Sequence, residues 1–335
     1  MDFIIASITS YLPIIFVFII GFVVFAYVVL DGYDLGVGML LNFTDKEHQD
    51  IMLASIKPFW DANETWLVLA AGVLMVAFPN AQGFIFEKLY IPTGIMLGGL
   101  ILRGAAFDFR DKIPKYQKHI TMIFSISSLL VALSQGYMLG FYIMGLEWSV
   151  VSIVFSLVSG LFLSAAYSML GAGWLIIKTS DEMQLKSIQW MKKSLWISLF
   201  GLLCASIVSP LVSDRIFDKW FSLPHVILLP IIPICIILAL YLIRHFLSLI
   251  MSGQDKYCHI PFFGAVLIFI FGFISLAYSF FPYIIPDQMD IYQAFGNTKS
   301  LLIVLAGVAV VLPCIIIYTI FVYRVFYGKV EKLSY

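Results

Sequence analysis

The sequence predicts an all-α integral membrane protein of about nine transmembrane helices, and three observations carry that prediction: its composition, the length of its apolar runs and the placement of its Lys and Arg. Of its 335 residues, 61% are hydrophobic and only 12% charged, whereas a soluble domain carries roughly 25% charged residues. The mean hydropathy of +0.99 agrees. A spanning helix needs about 20 apolar residues, and the runs here are too long for barrel strands, which alternate over only about ten.

Read between charged or Pro/Gly-containing breaks, the runs extend over 12–40, 57–78, 84–107, 120–144, 150–177, 194–212, 223–247, 260–282 and 301–326. The first ends in the polar block LDGYDLGVG, and the second opens with Pro58, which suits a first helical turn. The third closes on Arg103, Asp108 and Arg110. The fourth and fifth are separated by a short loop holding Glu147. The sixth follows the basic stretch of Lys186, Lys192 and Lys193, and the seventh ends near Arg244 and His245. The eighth stops at FPYIIP, and the ninth runs into YRVFYGKV, whose basic and aromatic residues suit an interface anchor.

Nine spans place the termini on opposite sides. Sixteen of the 20 Lys and Arg fall on the odd-numbered loops and the C-terminal tail, against Lys88, Arg215, Lys219 and Lys299 on the other side. By the positive-inside bias the N-terminus is outside and the C-terminus cytoplasmic. The opening segment has no basic n-region and no A-x-A-like site, so it is expected to remain as a helix. With short connections and no low-complexity linker, residues 1–335 read as one membrane domain. Zero formal net charge argues against nucleic-acid binding. Cys204, Cys235, Cys258 and Cys314 are scattered, and no disulfide framework or metal site follows; Cys258 beside His259 lacks a second ligand pair. Gly94, Gly98, Gly99, Gly171 and Gly173 read as close helix contacts.

Ionisable groups off the ends of spanning helices are costly and are functional candidates by default. Asp31 and Asp34 lie three apart and share a helix face. In KPFWDANETW, Asp61 and Glu64 repeat that spacing. Helix capping and dipole matching explain acidic residues in a first turn equally well, as interfacial placement explains Trp60 and Trp66. Arg103 is a candidate to snorkel. One hairpin and a third helix nevertheless bring Asp34, Asp61 and Arg103 to one depth. Four carboxylates then face one near-certain cation, so some are protonated or a bound cation supplies the missing charge. Either case describes a proton or cation site.

Of the five histidines, His48, His119 and His259 fall in loops, and His225 and His245 near the ends of the seventh run. A chain holding haem in its own bundle needs inward-facing His or Met ligands, and Met is mostly a core filler. Redox cofactors are therefore expected elsewhere. Gln135, FPYIIP and Glu147 read as packing, a helix stop and a loop charge.

Together, GYDLGVGML from Gly32, WDANETWLV from Trp60, LRGAAFDFR from Leu102, YSMLGAGWLIIKT from Tyr167, FPYIIP and YRVFYGKV resemble subunit II of the cytochrome bd quinol oxidases, from the first helix to the tail. The resemblance implies a heterodimer whose subunit I carries the quinol site, the b-type haems and haem d, or a further b-type haem in its place. Subunit II carries no haem. It implies a proton pathway from the cytoplasm that includes Asp61, Arg103 and Asp108, with Asp34 in the same polar cluster. It also places Trp66 on a hydrophobic route for oxygen. Some members add a structural quinone in a groove of subunit II or a small single-span subunit. The complex oxidises ubiquinol or menaquinol at the outer face of the bacterial cytoplasmic membrane, generating a potential without pumping. This chain has Ala62 where Gly is usual, and Glu64 where some relatives have Gln. An ion-coupled secondary transporter would use the same carboxylates but calls for inverted repeats with broken helices; a purely structural subunit would tolerate their loss.

Overall fold

In a computed structural model, residues 2–223 and 225–330 are described, with side chains from residue 11 onward except at 225 and 228. Lys332, part of the basic tail, and the His225 side chain lie outside the described residues. Thirteen α-helices follow one another: α1 (Asp2–Leu40), α2 (Lys46–Ile56), α3 (Trp60–Ala77), α4 (Pro79–Arg110), α5 (Gln117–Ile143), α6 (Val150–Lys178), α7 (Asp181–Val212), α8 (Asp214–Phe221), α9 (His225–Leu228), α10 (Ile231–Met251), α11 (His259–Phe280), α12 (Ile291–Ala294) and α13 (Thr298–Val325). Between α11 and α12, FPYIIP ends the helix, and β1 (Tyr283–Ile285) pairs antiparallel with β2 (Met289–Asp290).

Eight of these helices are long and apolar enough to cross a membrane, by length and composition. The ninth expected span, α3, misses that measure because its 18 residues begin with the polar WDANET. Two boundaries differ from the sequence expectation. α7 begins at Asp181 rather than 194, because DEMQLKSIQWMKK is amphipathic and buries Met183, Ser187 and Met191 while Glu182 and Lys193 stay exposed. The seventh run does not begin a helix at 223. Residues 225–230 form the short α9 and a turn, and α10 starts only after Pro230, whose ring fits before a first helical turn. α2 and α8, both amphipathic, have no counterpart among the apolar runs.

α1 is the central element, packed against α3, α5 and α6. Its crossing with α6 leaves no room for side chains: a Cβ at Gly36 would sit 1.9 Å from the Tyr167 carbonyl oxygen, and one at Gly171 2.4 Å from the Val37 nitrogen. Gly99 and Gly173 are in looser contact, where a Cβ would meet Val131 Cγ2 at 2.7 Å and Phe262 Cα at 3.2 Å. Gly94 and Gly98 do not make helix contacts in this chain. They lie on the outward face of α4, and a Cβ there would meet nothing within 4 Å. Serines within the apolar helices donate to the carbonyl four residues back, as Ser128 does to Phe124 and Ser156 to Ser152, which satisfies their hydroxyls without breaking the helix. α13 is the least covered span, with 6% of its apolar window buried.

Candidate functional site

Three helix ends meet at one depth. Asp31 and Asp34 lie nine and six residues before the last residue of α1, Glu64 four after the first of α3, and Arg103 seven before the last of α4. At ~1.5 Å per residue, all are roughly 6 to 14 Å inside their helix termini. The Gly36–Gly171 crossing presses this part of α1 onto α6, so Asp31 (0% exposed) and Asp34 (1%) are fully enclosed.

Arg103, 1% exposed, reaches across from α4. Its Nη2 lies 2.7 Å from Asp31 Oδ1 and 3.0 Å from Glu64 Oε2, and the Glu64 side chain keeps 26% exposure. The guanidinium thus bridges a sealed carboxylate and one that reaches the surface. Glu64 is hydrogen-bonded to it, whereas Asp31 is held at ion-pair distance with neither carboxylate oxygen in an aligned hydrogen bond. Asp34 has no ion pair among the described residues. Its Oδ2 accepts from Asn63 Nδ2 at 2.8 Å, and its Oδ1 is buried without a partner.

Two polar chains lead away from the carboxylates. On one side, Asn63 Nδ2 donates to Tyr33 Oη at 2.8 Å, Tyr33 and Tyr323 share a 2.6 Å hydroxyl bond, and Tyr323 donates to Asn63 Oδ1 at 3.3 Å. This ring ties α1, α3 and α13 together. On the other, Tyr167 donates to Gln135 Oε1 and Gln135 Nε2 donates to Tyr27 Oη, both at 2.6 Å. Tyr27 stands one turn before Asp31 on the same face of α1, and because its oxygen accepts from Gln135, its own hydroxyl proton is free to turn to that carboxylate. Tyr27, Gln135 and Tyr167 also form part of the wall of a cavity of about 480 Å³, whose lining from α1, α3 to α7 and α11 is otherwise mostly apolar, with Thr93, Ser159 and Ser198 as further polar side chains.

The expected site residues thus divide. Asp31, Asp34, Glu64 and Arg103 come together. Asp61, one turn before Glu64, is exposed, and so is Asp108 on α4; neither makes an ion pair among the described residues. Trp66 is 3% exposed, edge-on to Phe22 with ring centroids 6.0 Å apart, and packs with Val23, Tyr27 and Ala70. Trp60 packs on Phe107 at 5.0 Å. Asn63, Tyr33 and Tyr323 were not singled out from sequence, and Gln135 was read as packing. A neutral Asn between Asp61 and Glu64 and a Tyr in an apparent tail anchor carry little signal alone. Among the described side chains, His48 pairs with Asp45 on α2, His119 and His245 are exposed, and His259 at the start of α11 stacks on Tyr327. None projects into the bundle as a haem ligand would.

Comparison with known proteins identifies the family. Residues 12–326 match the family of cytochrome bd terminal oxidase subunit II. Cytochrome bd-I ubiquinol oxidase subunit 2 of Escherichia coli (strain K12) is 23% identical over 365 residues, covering 94% of each chain. Cytochrome bd ubiquinol oxidase subunit 2 of Bacillus subtilis (strain 168) is 26% identical over 330 residues, covering 91% of this chain and 94% of that one. The bd oxidase structure from Geobacillus thermodenitrificans superposes with a TM-score of 0.74 at 16% identity, over 94% of this chain and 98% of its counterpart, a likeness of fold. With a bundle of membrane-length helices and a sequence match from its first span to its last, this multi-pass chain of the bacterial cytoplasmic membrane belongs to the cytochrome bd terminal oxidase subunit II family, one subunit of a respiratory quinol oxidase.

Proposed function

We propose that this chain is the haem-free partner of a haem-bearing subunit I, and that it delivers protons from the cytoplasm towards the site where that subunit reduces oxygen to water. The observation that carries the reading is the Glu64–Arg103–Asp31 bridge, which links a partly exposed carboxylate to the sealed Asp31 across 3.0 and 2.7 Å contacts. Buried ionisable groups in a membrane are retained at a cost of several kcal/mol each, and a merely structural helix contact needs none of them. Asp61 and Asp108, exposed near the same helix ends, supply the entry. With the positive-inside bias placing these ends in the cytoplasm, protons enter at Asp61, pass to Glu64 and reach Asp31 and Asp34.

The histidine placement supports leaving the haems to subunit I, which would supply the electron transfer and the oxygen chemistry. Residues of this chain would hold and move protons and pack against that subunit along the outward faces of α3, α4 and α13. The cavity, which Trp66 backs through Tyr27 and Ala70 without lining it, suits passage of a nonpolar gas, and its mostly apolar walls, with Gln135 and Tyr167 at one side, also fit the isoprenoid chain of a structural quinone.

The test is Asp61→Asn and Asp31→Asn in the complex co-expressed with subunit I. Unchanged haem spectra with quinol oxidase turnover reduced tenfold or more is expected. Wild-type turnover in both variants would refute proton delivery and favour a structural subunit.

A further inference from the structure

We infer that Asp34 is the carboxyl that holds a proton at rest, while Arg103 supplies the counter-charge to Asp31 and Glu64. The assignment stands on three observations about who faces whom. First, the only guanidinium in the cluster is already shared between Asp31 at 2.7 Å and Glu64 at 3.0 Å. No Lys, Arg or His makes an ion pair with Asp34 from α1, α3, α4, α5, α6, α11 or α13 among the described residues; its polar neighbours are Asn63 and the hydroxyls of Tyr33 and Tyr323, with the carboxylates of Asp31 and Glu64 and the Arg103 charge further off. A second anion beside Asp31 would add like-charge repulsion to desolvation, and an isolated buried ion escapes that cost by taking up a proton.

Second, the hydroxyl protons nearby are committed. Tyr323 donates to Asn63, which leaves Tyr33 to donate to Tyr323, and one Asn63 N–H goes to Tyr33. Only the other Asn63 N–H remains for Asp34 Oδ2, and Oδ1 is sealed with no partner. One neutral donor does not replace the hydration of a carboxylate; it suits the carbonyl oxygen of a neutral acid. Third, Asp31 has the counter-charge that Asp34 lacks: the guanidinium stands 2.7 Å away, and although neither Asp31 oxygen is in an aligned hydrogen bond, the Tyr27 hydroxyl that Gln135 leaves free can turn to it. The two aspartates three residues apart on α1 therefore have different states. Relay through the cluster moves only a proton: Asp34 gives up its proton, and the next proton, arriving through Glu64, restores it. That use rests on the proton-delivery reading above, whereas the resting assignment does not.

Infrared difference spectroscopy of the purified complex tests the assignment, using protein labelled with carboxyl-¹³C aspartate or glutamate. At pH 7 we expect a protonated-carboxyl C=O band that shifts with labelled aspartate, is lost in Asp34→Asn, and in Asp34→Glu, which keeps the carboxyl, becomes sensitive to labelled glutamate instead. Absence of an aspartate-sensitive band in the wild type, or its survival in either variant, overturns the assignment. Turnover separates the two ideas. A band lost with turnover unchanged in Asp34→Asn leaves the assignment standing and removes the proton-delivery role, while slowed turnover with the band intact does the reverse.

Discussion

Replacing Arg103 by Met removes the single cation of the buried cluster with little change in volume. Asp31, 0% exposed and 2.7 Å from the guanidinium, is then left without a counter-charge, while Glu64, 26% exposed, can turn to water. Breaking a buried pair by deleting one partner costs about 3–5 kcal/mol. The expected loss is therefore about 3–5 kcal/mol of stability in the complex. Adding Asp31→Asn to Arg103→Met should return about 2–3 kcal/mol, because the unpaired charge is gone, so the two changes are strongly non-additive. Equilibrium unfolding of the solubilised complex across the double-mutant cycle measures both quantities. A loss under about 1 kcal/mol for Arg103→Met, or additivity within about 0.5 kcal/mol, would refute the claim that Arg103 and Asp31 form a sealed ion pair.

Gly36→Ala should be strongly destabilising, although an ordinary Gly→Ala change inside a helix stabilises by about 1 kcal/mol. Its Cβ would fall 1.9 Å from the Tyr167 carbonyl, so α1 and α6 must separate; failure of the complex to assemble is expected, and wild-type yield would contradict the crossing. Asn63→Ala leaves Tyr33, Tyr323 and Asp34 short of partners and should cost about 1–3 kcal/mol; the loss should be sub-additive with Tyr323→Phe in thermal unfolding, since both act on one ring. Asp45, exposed at the start of α2, is lowered to about 2 by accepting from the His48 side chain and backbone. A carboxylate lowered on folding contributes stability that is complete above about pH 4 and lost as pH falls towards 2, so amide exchange in 46–56 should accelerate only below about pH 4, and not at all in Asp45→Asn. Trp66→Ala opens the wall between α1 and α3; a changed KM for oxygen with unchanged haem spectra is expected, and an unaltered KM would remove Trp66 from the oxygen route.

Much of the bundle was legible because a bilayer leaves a simple record: long apolar runs with charged ends. Where the record is ambiguous the boundaries moved. The basic stretch before 194 is helical because it is amphipathic, and Pro230 delays α10 past the apolar start at 223. Gly94 and Gly98 lie four apart, the small-residue spacing of a close helix contact, yet face outward; spacing does not say which side of a helix meets a neighbour in the same chain. In the site, charge excess pointed to five residues, Asp31, Asp34, Asp61, Glu64 and Arg103, of which all but Asp61 meet. It did not reveal that Asp61 stays outside while Glu64 turns in, nor that neutral Asn63, Tyr33 and Tyr323 separate the surroundings of two aspartates three residues apart. Those distinctions arise from α13 folding back onto α3, a contact between residues 260 apart in sequence.

The most direct test of proton delivery is proton uptake itself, followed with a pH-sensitive dye after an oxygen pulse to the reduced complex. Asp31→Asn should leave the early haem absorbance changes at wild-type rates and slow proton uptake, with the haem steps coupled to it, tenfold or more. Proton uptake at the wild-type rate in that variant would contradict the account.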